Sequence, residues 1–153
     1  MKIDILLYKL SSHRPSEKIH IQNVKPPFYL KSVQAILNKK LPKLNHEFID
    51  ARKDSSNNSL VLGSTIVILE MTLFDLKNLK NFINTLVQNS SKPIVIVIGQ
   101  GATAIPNEIA ASFPDDMEFY IIGGEPESII SSFVIDSWPL ISKTKLEMVS
   151  FNS

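Results

Sequence analysis

Pro93-Ile94-Val95-Ile96-Val97-Ile98-Gly99-Gln100-Gly101 sets an unbroken β-branched run directly before a glycine turn. A strand without polar alternation is apolar on both faces, which marks a parallel sheet covered by helices on each side. The glycines then lie at the carboxyl end of the strand. The arrangement recurs downstream, where Phe119-Tyr120-Ile121-Ile122 runs into Gly123-Gly124-Glu125-Pro126-Glu127. In an open α/β sheet that edge binds ligands, because its loops vary freely and helix N-termini offer unpaired N–H groups at the positive end of a dipole. Glycine lets backbone approach a bound group without a Cβ in between.

Outward from these turns the chain alternates between strand and helix patterns. Residues 2–7 form an apolar first strand, and the polar stretch 11–25, with Pro15, is too long for a tight turn and reads as a loop. Pro26-Pro27 suits a helix start, and Leu30, Val33, Ala35, Ile36 and Leu37 carry that helix to about Lys40, before Pro42. Residues 46–50 suit strand two, and the Ser/Asn-rich stretch 51–63 reads as a surface loop. Strand three spans 65–69. Asp75 is positioned to cap the next helix, in which Leu76, Leu79, Phe82, Ile83 and Leu86 repeat at helical spacing. Beyond the first glycine turn, residues 99–105, Pro106 starts a short helix through Phe113, strand five covers 118–122, and a last helix covers 125–133. The pattern predicts a flavodoxin-like or Rossmann-like three-layer α/β sandwich, with a five-stranded parallel sheet in the order 2-1-3-4-5. Residues 1–135 make this domain. Residues 136–153 read as a C-terminal tail or an added strand, because Trp138-Pro139 breaks the helix.

Composition narrows the function classes. The 153 residues are 44% hydrophobic, enough for one core, and 16 basic residues face 15 acidic ones. That balance offers no basic footprint for nucleic acid. Apolar positions in residues 1–10 are interrupted by Asp4 and Lys9, so no signal-peptide core is visible, no run is long enough for a membrane span, and a cytoplasmic location is expected. Zero cysteines excludes disulfides, Fe–S ligation, zinc thiolates and a Cys nucleophile. His20 and His46 have no companions at metal spacing, so no metal site is expected. No glycine follows strand one, which removes the dinucleotide fingerprint, and neither a phosphate-binding P-loop nor a Gly-x-Ser-x-Gly elbow is present.

Taken in order, Pro26-Pro27-Phe28-Tyr29-Leu30, Asp50 ending strand two, Met71-Thr72 after strand three, Gly99-Gln100-Gly101-Ala102-Thr103-Ala104-Ile105-Pro106-Asn107-Glu108, and Ile121-Ile122-Gly123-Gly124-Glu125-Pro126-Glu127-Ser128 resemble the cobalamin (B12)-binding domain at the front of B12-dependent radical SAM enzymes. The resemblance covers about residues 1–135. It implies that Met71, Thr72, Gly99, Gln100, Gly101, Ala102, Thr103, Gly123, Gly124 and Glu125 surround a cobalamin, and that a partner supplies the [4Fe–4S] cluster this cysteine-free chain cannot hold. Departures accompany the match. The Asp-x-His-x-x-Gly cobalt-ligand pattern fails around His13, with Ser11 and Ser16 at the flanking positions; Gln100 replaces a glycine; and Leu69-Glu70-Met71 replaces small residues.

Two functions follow from these readings. In the first the chain is a stand-alone cofactor-holding or accessory subunit, or a fragment, of a radical SAM system; in the second the fold has lost cobalamin and serves as a protein or peptide interaction partner. The glycine turns could equally be plain strand-to-helix connections, and Thr72 could bind a ligand or cap a helix. Glu70 is either a solvated rim residue, the default for a charge, or a group with a specific partner, since burying it unpaired would cost several kcal/mol.

Overall fold

The computed structural model describes residues 3–10, 28–52 and 58–125, with the isolated positions 130 and 132. Strand β1 is Ile3–Lys9, β2 His46–Asp50, β3 Ser64–Glu70, β4 Ile94–Ile98 and β5 Phe119–Ile121. All pairings are parallel, in the order β2-β1-β3-β4-β5. The flavodoxin-like order expected from the alternation of elements is the observed one.

Period-two alternation divides each strand between two cores. On β4 every isoleucine faces one side and every valine the other. Ile96 and Ile98 join Ile5, Leu7, Ile66 and Ile68 beneath helix α1 (Phe28–Lys40), which contributes Leu30, Val33 and Leu37. Val95 and Val97 join Leu6, Val67 and Leu69 beneath α3 (Leu76–Gln88) and α5 (Pro106–Ala111), which contribute Leu79, Phe82, Ile83, Leu86 and Ile109. The sheet is thus the middle of three layers, and its central strands are covered on both faces.

Several boundaries differ from expectation. Strand β1 runs on through Tyr8 and Lys9, because Tyr8 packs on Phe82 at 5.0 Å between ring centroids and Lys9 still pairs with both neighbouring strands. The stretch expected as a loop over 51–63 ends in a helical turn, α2 (Asn58–Leu62). Its physical cause is local: Val61 is buried in the α3-side core, and the turn is closed by Gly63 N–H to the Ser59 carbonyl and Ser64 Oγ to the Leu60 carbonyl. The first glycine turn is shorter than expected, since Gln100–Ala104 forms helix α4 immediately after Gly99, while Pro106 does occupy the first turn of α5. The loop over 11–25, Pro26-Pro27, His13, His20 and the tail 136–153 lie outside the described residues, as does most of the last expected helix; within it Ile130 and Ser132 are helical and Ile130 is buried under the α1 side of the sheet.

Because Ile68 is fully enclosed by helix α1 and two strands, Ile68→Ala should lower unfolding free energy by about 2–5 kcal/mol, read from the urea midpoint at unchanged m-value.

Candidate functional site

The order 2-1-3-4-5 reverses direction between β1 and β3, so the crevice beyond their carboxyl ends is where open α/β sheets take ligands. Across that edge one row of register partners reads Asp50, Lys9, Glu70, Ile98. Three charged residues therefore follow on adjacent strands. Charges this close to a sheet core must be paired or neutralised.

Glu70 is 91% buried and its carboxylate reaches the first turn of α1, where Oε1 accepts the Leu30 N–H at 2.9 Å and the Tyr29 N–H also donates to it. Helix α1 is thus capped by a side chain 40 residues away in sequence. Burial raises the Glu70 pKa above its ordinary value, while the two amides, Lys9 and Arg52 pull it down. The solvated-rim expectation for Glu70 is corrected: the apolar strands beside it and the waiting helix N–H groups draw it inward.

Lys9, 4% exposed, places its Nζ 3.6 Å from Asp75 Oδ2. Burial lowers the lysine pKa, Asp75, Glu70 and Asp50 oppose that shift, and Arg52 adds to it. Asp75 is fully buried. It starts α3 as expected, but its side chain does not cap that helix. Instead Oδ2 accepts the Thr72 N–H at 2.8 Å, while the Asp75 N–H donates to the Thr72 carbonyl at 3.2 Å, closing the β3–α3 turn on itself. Asp75 Oδ1 has no hydrogen-bond partner among the described residues. Beside this group Arg52 holds Asp50 with a two-point contact, Nε to Oδ1 at 3.0 Å and Nη2 to Oδ2 at 2.9 Å.

The residues expected around a ligand divide into two groups. Met71, Gly99, Gly101 and Ala102 are buried, Thr72 and Gly123 are half-buried, and Gln100, Thr103, Gly124 and Glu125 are exposed. Gly99 has φ +99°, and a Cβ there would lie 2.8 Å from the Met71 carbonyl oxygen and 3.0 Å from Glu70 Cγ. A Cβ on Gly101 would meet the Thr72 carbonyl oxygen at 2.8 Å. Both glycines therefore admit the chain's own β3–α3 turn, which is fastened there by Gly101 N–H to the Met71 carbonyl at 3.0 Å. A Cβ on Gly124, φ +73°, would meet nothing within 4 Å among the described residues. The two glycine turns do meet, because the Gly124 N–H donates to Thr103 Oγ1 at 2.9 Å. Thr72 Oγ1 accepts the Phe74 N–H at 3.3 Å, and Phe74 itself projects into solvent, 82% exposed beside Leu73.

Lys9 and Asp75 are functional candidates that sequence reasoning missed as a pair. Their signal was a lone charge at the end of an apolar strand and an acid directly before a helix. Among the described residues no group of three or more His, Cys, Asp or Glu is placed to hold a metal ion, and no helix is long and apolar enough to cross a membrane.

Neither a protein-family model nor a curated protein matches the chain. A crystal structure described as azoreductase AzrA is similar to it with a TM-score of 0.43 and 11% identity, over 91% of this chain and 93% of that one.

Lys9 supplies the cation that opposes the burial of both Asp75 and Glu70, so Lys9→Met should destabilise the chain by about 3–5 kcal/mol in denaturant melts. Adding Asp75→Asn should restore part of the loss. The lysine's lowered pKa means that the unfolded chain binds more protons between that value and the ordinary 10.5, so its contribution to stability rises with pH there; Lys9→Met should abolish that alkaline rise. Gly99→Ala combines a strained φ with a backbone clash and should cost at least about 2 kcal/mol, whereas Gly124→Ala, strained but unobstructed, should cost about 1 kcal/mol by the same measurement.

Proposed function

We propose that this chain is a cytoplasmic accessory domain, built like the cobalamin-binding domain of B12-dependent radical SAM enzymes, that serves a cluster-bearing partner by protein contact and does not itself carry the corrinoid. One observation supports this reading above the cofactor-holding one: the space that Gly99 and Gly101 leave is filled by Met71, Thr72 and the Glu70 stem. A flat ring lying against the end of β3 needs that surface open. Here Met71 is fully buried and the β3–α3 turn is hydrogen-bonded onto Gly101, so the donor and packing set does not fit a corrin.

What remains on the same edge is a surface suited to protein contact. Phe74 and Leu73 project from the β3–α3 turn, and the exposed Gln100, Thr103 and Glu125 come from the two turns beside it. A large aromatic on a rigid turn is the kind of side chain that dominates binding energy when a partner buries it. The [4Fe–4S] chemistry then belongs wholly to the partner, since the chain has no cysteine.

Hydroxocobalamin mixed with the purified chain and desalted should leave no corrin absorbance on the protein. Recovery near one corrin per chain would overturn the loss of cobalamin and restore the cofactor-holding reading. Co-expression with a radical SAM protein encoded nearby tests the contact itself: the pair should co-elute with its cluster absorbance, and Phe74→Ala should weaken the complex by about tenfold or more while changing stability by less than about 0.5 kcal/mol.

A further inference from the structure

We infer that the outer face of helices α3 and α5 pairs with the same face of a second copy of this chain, α3 of each lying against α5 of the other about a two-fold axis. This contact is separate from the one proposed for Phe74, which lies on the β3–α3 turn ahead of α3.

Charge divides along the chain. Residues 76–92 hold Lys77, Lys80 and Lys92 and no acid, whereas residues 100–125 hold Glu108, Asp115, Asp116, Glu118 and Glu125 and no base. The fold sets these two segments side by side. Helix α3 connects β3 to β4 and α5 lies between β4 and β5, so right-handed crossovers put both on one side of the sheet, where Leu79, Ile83 and Ile109 share one core. Their outward sides are left with opposite sign. Lys77 and Lys80 are exposed on α3, Glu108 is exposed on α5, and Asp115 is exposed on the loop that follows it. None of these four has an ion-pair partner among the described residues, whereas Lys92 holds Asp116 at 2.7 Å across the same two segments.

A face that is positive in one half and negative in the other complements itself. Both helices begin towards the carboxyl edge of the sheet, so an axis between them and parallel to them carries α3 of one copy over α5 of the second with the helix starts together. Lys77 and Lys80, in the first two turns of α3, then meet Glu108 in the first turn of α5, and the contact occurs twice. The rest of the stripe does not oppose this. Beyond the lysines α3 exposes Asn84 and Val87, with no acid to repel the second copy's carboxylates, and Val87 is 51% exposed. A formal net charge of +1 leaves little long-range repulsion between copies. Exposed charges set register and partner more than affinity, so the association is salt-dependent.

Sedimentation velocity of the full chain over a concentration series, in about 0.01 M and about 0.5 M sodium chloride, tests this. The mass should approach twice 17.1 kDa at the lower salt, and the dimer dissociation constant should rise about tenfold or more at the higher. The variants Lys77→Glu/Lys80→Glu and Glu108→Lys/Asp115→Lys should each be monomeric, with melting temperatures within about 2 °C of wild type, since all four positions are exposed. An equimolar mixture of the two should recover the dimer, because each then meets the opposite charge. A wild type that stays monomeric at the lower salt, a dimer that survives either reversal, or a mixture of folded variants that stays monomeric would overturn the pairing. Should a reversed variant not fold, carbodiimide crosslinking between isotope-labelled and unlabelled wild type decides: Lys77 or Lys80 of one copy should be joined to Glu108 of the other. Crosslinks confined to single chains would sink the dimer.

Discussion

A carboxylate at the end of β3 holding the first turn of α1 is the contact on which the edge of this molecule depends. Helix α1 must lie across β1 and β3 to cover Ile5, Leu7, Ile66 and Ile68, and its open N-terminus arrives at the place where β3 ends. Glu70 satisfies those N–H groups. Once it does, other positions are constrained in turn. Gly99 has to be a glycine to let the stem pass, Lys9 has to be positive to stand beside a buried carboxylate, and Asp75 has to be negative to balance a lysine that already has Arg52 in its field. One capping contact thereby couples β1, β3, β4, α1 and α3.

The energetic weight of this network differs from its organising role. Stability comes from the two apolar cores, where each fully buried aliphatic side chain contributes about 1.5–3 kcal/mol. The buried charges do not add comparably. Desolvation is the first cause of the shifts at both Glu70 and Lys9, raising the acid and lowering the base, so burial outweighs attraction at each site. Such a network costs little while complete and several kcal/mol when one member is lost. Its effect is therefore on specificity: it determines where α1 begins and how the β3–α3 turn lies, more than how tightly the chain folds.

This division explains what was legible in the amino-acid sequence. The sheet order follows from apolar runs alternating with amphipathic helices, and Ile94 through Ile98 show it plainly because both faces of β4 are covered. Position along the edge was harder to read. The apolar run of residues 2–7 places the end of strand β1 at Leu7, yet a charged residue such as Lys9 stays in a strand when its partners come from Glu70 and Asp75, 61 and 66 positions away. Helix α2 was hidden for the opposite reason, as three apolar residues inside a Ser/Asn-rich stretch are too few to show a helical period. Long-range pairing and single-turn packing leave no periodic trace.

Glycine at a strand end carries two meanings that the sequence cannot separate and the structure can. Either the missing Cβ admits a ligand or it admits the chain itself, and the distinction lies in what occupies the vacated space. At Gly99 and Gly101 the occupant is the β3–α3 turn, fastened by Gly101 N–H to the Met71 carbonyl, so these two positions are set by internal packing. A Cβ on Gly124 would meet nothing within 4 Å among the described residues, and the backbone is instead tied to Thr103. The turns share a motif but not a cause. An edge whose inner half is closed by its own carboxylate and whose outer half presents Phe74 to solvent meets its surroundings through side chains, and that is what supports the proposed protein contact over enclosure of a ring.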